Sequence, residues 1–230
     1  MNKLALGTAQ FGSKYGIANN LGQVKFTEVE QILKLAKNSN IDLIDTAIGY
    51  GNSEKVLGKI GVKDFKLVSK LIDLPHNCED VNRWVEEKVE ISLKLLGIQS
   101  LYGLLVHSSK NLLDNSGKKL IKALNNLKIN GLVKKIGISI YDPIELDQVM
   151  HLNKFDIIQA PLNIIDRRLE VSGWLSRLSK SGVEVHTRST FLQGLLLMKQ
   201  NKIPKKFNKW QSILDQWSIE LEKNSLNAIE

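Results

Sequence analysis

The sequence has 230 residues, of which 43% are hydrophobic and 24% charged, with only four prolines. This length and composition fit one large globular domain and exclude an intrinsically disordered protein, because the chain has enough apolar residues to build a core. The formal net charge of +8 comes largely from lysines on predicted helix faces. Aromatic residues do not interleave with them, so we expect no nucleic-acid partner.

The amino terminus lacks the apolar run and cleavage pattern of a signal peptide, and no stretch approaches the roughly 18 apolar residues of a membrane span. The single cysteine, Cys78, cannot form an internal disulfide and has no metal-binding spacing around it. These features predict a cytoplasmic protein with no membrane association and no metal site.

Apolar runs typical of buried strands alternate with segments of helical periodicity from the first residues to about residue 190. We predict strands at 4–6, 41–44, 67–68, 101–106, 133–138, 157–158 and 183–185. Helices are predicted at 81–96, 118–130, 143–151 and 170–180. An earlier helix has Val29, Leu33 and Ala36 on one face, and Thr27 with Glu30 has the pattern of a capping box at its start.

Repeated strand and helix units predict a parallel sheet with right-handed crossovers. A closed barrel of this kind needs eight strands, whereas only a loop (191–206), a helix (207–223) and a short segment follow the seventh. We therefore predict a single α/β domain over residues 1–230, a TIM (β/α)8-type barrel that is incomplete, with the eighth strand and helix missing. A doubly wound dinucleotide-binding sheet is disfavoured because Gly7 and Gly12 lack the fingerprint spacing.

Four polar side chains stand at or just after predicted strand ends. Asp45 and Tyr50 follow the second strand, Lys70 follows the third and His107 follows the fourth. The carboxyl ends of parallel strands meet at one mouth of a barrel, so we expect these side chains to lie together.

These residue types can support carbonyl reduction. Lys70 is expected to lower the pKa of the Tyr50 phenol, which would then donate a proton, and Asp45 would hold the lysine in place. A neutral His107 imidazole could polarise the carbonyl oxygen. No side chain supplies hydride, so a nicotinamide cofactor is implied.

At these residues the sequence resembles the aldo-keto reductases. The similar segments are GTAQFG, IDTAIGYGNSE, VSK, LLVH, GISIYDP, IIQAPLN and RSTFLQGLL, which extend over nearly the whole chain. The resemblance implies an NADPH-dependent oxidoreductase that reduces an aldehyde or ketone to an alcohol, with Tyr50 as the general acid. NADPH would lie extended across the mouth of a TIM barrel.

The resemblance also implies which residues contact the cofactor. They are Thr8 and Asp45 along its length, Ser139 and Gln159 at the carboxamide, Arg188 at the nicotinamide ring, and Ser189, Phe191 and Leu192 along the pyrophosphate. Many members have a tyrosine at the position of Arg188, and a guanidinium plane can also stack on the ring. Ile140 replaces an asparagine that contacts the carboxamide in many members, so one hydrogen bond is expected to be lost.

In the family, the eighth strand and the helix that follows it bind the adenosine 2′-phosphate, and this region is missing here, so we expect weak NADPH binding. Lys202, Lys205 and Lys206 are the nearest basic residues. Two alternatives remain open. The barrel could be a catalytically weak or inactive binding or regulatory subunit, since a fold does not determine function. It could also be a metal-dependent hydrolase with the ligands Asp45, His107 and His186, although the first strand lacks a His-x-His pair.

Overall fold

The computed structural model describes residues 3–229. They form one seven-stranded sheet in which each strand is parallel to its neighbour and the spatial order is the chain order. The strands are β1 (Leu6–Gly7), β2 (Leu43–Asp45), β3 (Lys66–Leu71), β4 (Leu101–Val106), β5 (Val133–Ser139), β6 (Ile157–Pro161) and β7 (Glu184–Arg188). Within the described range β1 and β7 are the two edges of the sheet. The incomplete TIM-type barrel predicted from the sequence is confirmed.

Helices connect the strands. They are α1 (Ala9–Gly12), α2 (Phe26–Asn38), α3 (Ser53–Ile60), α4 (Val81–Leu96), α5 (Lys110–Leu113), α6 (Gly117–Ile129), α7 (Ile144–Val149), α8 (Arg168–Val171), α9 (Trp174–Lys180) and α10 (Gln211–Lys223). Short 3-10 turns at Leu195–Leu197, Gln200–Lys202 and Lys205–Trp210 lie between β7 and α10. Nowhere in residues 3–229 is a helix long and apolar enough to cross a bilayer.

Helix α4 illustrates how the sequence determines these elements. Val85 and Val89 repeat at helical spacing and are buried against the core. Asp80 caps the first turn, because its carboxylate accepts the backbone N–H of Arg83 at 3.0 Å. Gly97 ends the helix in the left-handed conformation, with φ of 66°. The predicted end of this helix at Gly97 is confirmed.

The sheet is strongly curved, and its inner face is narrow. A Cβ atom at Gly103 of β4 would lie 2.7 Å from Cδ1 of Ile157 on β6, although β5 separates the two strands. Tyr102 of β4 donates its hydroxyl to Glu184 of β7 at 2.6 Å. Contacts across one or two intervening strands require the sheet to curl, so its carboxyl-terminal strand ends converge on one mouth.

Two local predictions were wrong. Helix α2 begins at Phe26 with Lys25 at the N-cap position and no capping side chain, so the predicted Thr27 and Glu30 capping box does not form. The predicted helix at 170–180 is two helices, α8 and α9. Gly173 separates them with φ of 78°, and a left-handed residue interrupts a right-handed helix.

Candidate active site

The ends of β2 and β3 bring Asp45 and Lys70 together at the mouth. The Lys70 ammonium donates to both carboxylate oxygens of Asp45, at 2.8 and 2.7 Å, and to the backbone carbonyl of Thr46 at 2.9 Å. The Lys70 side chain is 1% exposed and that of Asp45 is 20% exposed. A buried ammonium needs this many acceptors, because each of its three N–H groups would otherwise be desolvated without a partner.

Tyr50 and His107 lie beside this ion pair. The Lys70 nitrogen is 5.0 Å from the centroid of the Tyr50 ring. The rings of Tyr50 and His107 are 6.3 Å apart and meet edge to face at 76°. The structure therefore brings together all four residues that the sequence placed at strand ends. The described part of the chain offers no hydrogen-bond partner to the Tyr50 hydroxyl or the His107 ring.

The pKa of Tyr50 differs from the expectation. Burial, followed by the negative charge of Asp45, raises the pKa of Tyr50 to about 12, although the Arg188 guanidinium lowers it. The expectation that Lys70 lowers this pKa was wrong. The adjacent Asp45 carboxylate neutralises the lysine charge, so burial has the largest effect on the pKa of Tyr50. Tyr50 is therefore fully protonated at neutral pH.

His107 is neutral at neutral pH, as the sequence analysis expected. Burial lowers the pKa of the His107 imidazole, and the positive charge of Lys70 lowers it further, while Asp73 raises it. Burial also lowers the pKa of His186 on β7, against an opposing effect of Glu184. Both imidazoles are therefore more easily protonated in the unfolded chain than in the folded one.

This difference predicts an acid limb in the stability of the protein. Both folded-state pKa values lie below the ordinary histidine value near 6.5, so the unfolded state binds protons first as the pH falls. We expect the free energy of unfolding to be fully retained above about pH 6.5 and to decrease as the pH falls through the lowered pKa values. Urea unfolding along a pH series should measure the slope.

The control is the exposed residue His151. The double variant His107→Asn, His186→Asn should flatten the slope, whereas His151→Asn should leave it unchanged. An unchanged slope in the double variant would contradict the assignment.

Buried polar side chains from elsewhere in the chain hold Asp45 in position. The Gln159 amide donates to Asp45 Oδ1 at 2.7 Å, and the Ser139 hydroxyl donates to Gln159 Oε1 at 3.4 Å. Thr8 is 0% exposed, and its hydroxyl donates to the backbone carbonyl of Asp45 at 3.0 Å. In this structure Thr8 therefore supports the backbone of Asp45, and its predicted contact with the cofactor stays a prediction.

The turn that carries Tyr50 packs backbone to backbone against the end of α1. A Cβ atom at Gly12 would lie 1.6 Å from the carbonyl oxygen of Tyr50, and one at Gly51 would lie 2.3 Å from the carbonyl oxygen of Gly12. Gly51 also has φ of 56°. Only glycine fits at both positions, so the GTAQFG and YG segments are needed together to position Tyr50.

We expect Gly12→Ala to destabilise the protein by about 1–3 kcal/mol, because overpacking forces the backbone apart, and to displace Tyr50. Gly7→Ala is the matched control, since nothing lies within 4 Å of its Cβ position. Chemical unfolding and turnover assays should separate the two variants. Equal effects of both substitutions would disprove the steric explanation.

The loop after β7 has a left-handed backbone and free donors. Ser189, Leu192 and Gln193 have φ of 59°, 47° and 58°, a conformation that non-glycine residues adopt at an energetic cost. In the described chain no acceptor is bound by the backbone N–H groups of Thr190, Phe191, Gln193 and Gly194. Free backbone N–H groups close together suit an anion, so the predicted contact of this loop with a pyrophosphate stays a prediction that its backbone favours.

Arg188 does not project freely from the end of β7. Its guanidinium donates to the backbone carbonyl of Ile140 at 2.9 Å and to the Ser189 hydroxyl at 3.3 Å. It also lies 4.3 Å from the centroid of the Tyr141 ring. The guanidinium therefore makes a cation–π contact with a side chain of the protein.

Sequence reasoning did not include Tyr15 and Tyr141. Burial raises the pKa of Tyr15, and the charges of Tyr50, Arg188 and Tyr141 also act on it, which places Tyr15 near the mouth. Tyr141 directly follows Ile140 beyond the end of β5. That position is the signal that identified His107 after β4, and it could have identified Tyr141.

A metal centre has no geometric support. In the range 3–229, no three His, Cys, Asp or Glu side chains are close enough to hold a metal ion. His186 instead lies 3.4 Å from a carboxylate oxygen of Glu184. The ligand set of the hydrolase alternative is therefore not assembled.

Comparisons with known proteins agree on one protein family. The sequence profile described as Aldo/keto reductase family matches residues 3–228. The chain is 29% identical over 217 residues to the NADH-specific methylglyoxal reductase of Escherichia coli strain K12, an alignment that covers 85% of this chain and 65% of the relative. The chain therefore spans less than two thirds of the length of that relative.

Solved structures share the fold. A glycerol dehydrogenase from Gluconobacter oxydans superposes with a TM-score of 0.72 and 22% identity, covering 97% of this chain and 75% of the other. An aldo-keto reductase from Bacillus halodurans, in its holo form, gives 0.71 and 22% identity over 88% of this chain and 66% of the other. At these identities the likeness concerns the fold alone.

Proposed function

Because the chain belongs to the aldo/keto reductase family, we propose that it reduces an aldehyde or ketone to an alcohol with a nicotinamide cofactor. The observation that carries the proposal is the buried Asp45 and Lys70 pair beside Tyr50 and His107. Carbonyl reduction needs a proton donor and a polar group for the carbonyl oxygen, in addition to hydride. Tyr50 and His107 are suited to these two tasks.

In the proposed reaction Tyr50 is the general acid. Its high pKa does not prevent this, because the alkoxide that forms on hydride transfer is a stronger base than a phenolate. The phenolate that remains would lie beside the Lys70 ammonium, 5.0 Å from the ring, although the Asp45 carboxylate offsets that charge. The neutral His107 would donate a hydrogen bond to the carbonyl oxygen and orient the substrate. Asp45 would keep Lys70 charged and in place.

The cofactor, when bound, supplies the hydride. We assign the nicotinamide carboxamide to Ser139 and Gln159, whose second amide N–H has no partner in the described chain. The pyrophosphate is assigned to the loop that contains Ser189, Phe191 and Leu192, with its free backbone donors. Arg188 would lie beside the nicotinamide ring.

We propose NADPH rather than NADH. The support is a cluster of exposed lysines after β7, Lys202, Lys205 and Lys206, for which no ion pair with an acid is found in residues 3–229. Such charges favour the additional 2′-phosphate of NADPH. Since the Escherichia coli relative is named NADH-specific, both cofactors must be compared.

The test is turnover of a small aldehyde, followed by the loss of nicotinamide absorbance with each cofactor. We expect consumption of the reduced cofactor and a higher kcat/KM with NADPH. A higher value with NADH would overturn the cofactor assignment but not the reaction. Absence of turnover with both cofactors would contradict the reaction and favour a binding or regulatory role for the same barrel.

A further inference from the structure

Arg188 is a cation at the mouth for which the described residues provide no carboxylate partner. It ends β7 opposite Pro161 of β6, and no acid within residues 3–229 lies at ion-pair distance from it. The charge of Arg188 contributes to lowering the pKa of the Asp166 carboxyl, after the larger effect of its hydrogen bond with Arg168. That carboxylate is already bonded to Arg168, at 2.9 and 2.8 Å.

The guanidinium is held in place, but not all of its N–H groups have an acceptor within the described residues. Its hydrogen bonds to Ile140 and Ser189 use two of the five N–H groups of an arginine. The guanidinium carbon also lies 4.3 Å from the centroid of the Tyr141 ring. Three N–H groups remain for a ligand. A guanidinium fixed in this way loses little entropy when it binds a planar anion in bidentate fashion.

The charges of the four catalytic residues cancel, and a further carboxylate, Asp73, acts on His107 and accepts a hydrogen bond from Asn111 at 2.7 Å. Lys70 and Asp45 neutralise each other at 2.7 Å, and His107 is neutral at neutral pH. Arg188 therefore provides a positive charge with which no carboxylate in residues 3–229 forms an ion pair, and this charge acts on both Tyr50 and His107. A partly buried charge without a partner is costly, and in a cleft it indicates a ligand of opposite charge.

We propose that Arg188 binds the carboxylate of an acidic carbonyl substrate, so that the preferred substrates are small oxo acids rather than neutral aldehydes. The inference rests on the proposed reductase function. The other available anion is the pyrophosphate of the cofactor, which has its own donors in the backbone N–H groups of the loop after β7. Arg188 instead reaches across β6 to the carbonyl of Ile140 at the end of β5.

The experiment compares aldehyde acids with their neutral esters. Glyoxylate and succinic semialdehyde, which differ in length, are each measured beside the methyl ester at saturating cofactor. We expect the wild-type protein to prefer at least one acid over its ester by roughly 10- to 100-fold in kcat/KM, the range of a charge-assisted hydrogen bond. In Arg188→Gln this acid-to-ester ratio should fall to about one.

Two variants control for charge. Arg167→Gln removes a positive charge at an exposed ion pair with Glu170 and should leave the acid-to-ester ratio unchanged. Arg188→Lys keeps the charge but loses the planar fork, so it should retain part of the ratio. Equal use of acid and ester by the wild type would overturn the inference while leaving the reductase function intact. If Arg188→Gln left the acid-to-ester ratio unchanged and raised the KM for the cofactor, Arg188 would be assigned to the pyrophosphate. That result would also overturn the inference that Arg188 binds the substrate carboxylate.

If neither acid nor ester is turned over, the proposed reductase function fails. The proposed carboxylate site at Arg188 is then tested separately, by measuring ligand binding. Calorimetry with butyrate and with butyramide, which have nearly the same shape, measures recognition of the carboxylate without chemistry. Binding of butyrate alone by the wild type, and its loss in Arg188→Gln, would support the anion site. Absence of butyrate binding would overturn it.

Discussion

Replacing Tyr50 with phenylalanine is expected to reduce kcat for carbonyl reduction by roughly 10²- to 10⁴-fold, the usual contribution of general acid catalysis. The substitution removes only the hydroxyl, and that hydroxyl has no hydrogen bond within the described chain. Folding and cofactor affinity should therefore change little. Steady-state kinetics, together with a calorimetric Kd for the cofactor, would measure both effects.

Tyr102→Phe is the matched control. Tyr102 lies at the start of β4 and bonds to Glu184 at 2.6 Å, far along the strands from the mouth. The same chemical change there should leave kcat nearly unaltered. Retained turnover in Tyr50→Phe would refute the role of the phenol. A large loss in cofactor affinity would instead mean that Tyr50 acts mainly in binding.

Replacing Lys70 with methionine is expected to abolish turnover and to lower the free energy of unfolding by about 3 kcal/mol. Removing one partner of a buried ion pair typically costs about 3–5 kcal/mol, and the lower end applies because Asp45 remains 20% exposed. Methionine has nearly the same length, so lost packing contributes little. Urea unfolding of the purified variant would measure the change.

Two further variants sharpen this test. Lys66→Met breaks the pair with Asp42, whose two side chains are 44% and 55% exposed, and it should leave the free energy of unfolding almost unchanged. The double variant Lys70→Met, Asp45→Asn removes both buried charges and should be more stable than Lys70→Met alone, while remaining inactive. Equal destabilisation by Lys66→Met and Lys70→Met would show that burial of the pair does not matter.

Much of the fold could be predicted from the sequence because its signals are local. An apolar run bounded by turns identified each of the seven strands, and helical spacing with Gly97 identified α4 together with its end. The convergence of Asp45, Lys70 and His107 followed from topology, since parallel strands end on one side. The break between α8 and α9 was missed because Gly173 alone could also have been accommodated within one helix.

The sequence by itself determined which chemical groups reach the mouth. Strand and helix segments alternate along the chain, which implies parallel strands, and each of these groups follows the end of one strand. Only the tertiary structure decided how those groups act on one another. Burial, followed by the negative charge of Asp45, raises the pKa of Tyr50 where the sequence suggested a fall. Within residues 3–229 no carboxylate lies at ion-pair distance from Arg188, which the sequence alone could not show. Burial and charge separation depend on distances between strands, and spacing along one chain does not contain those distances.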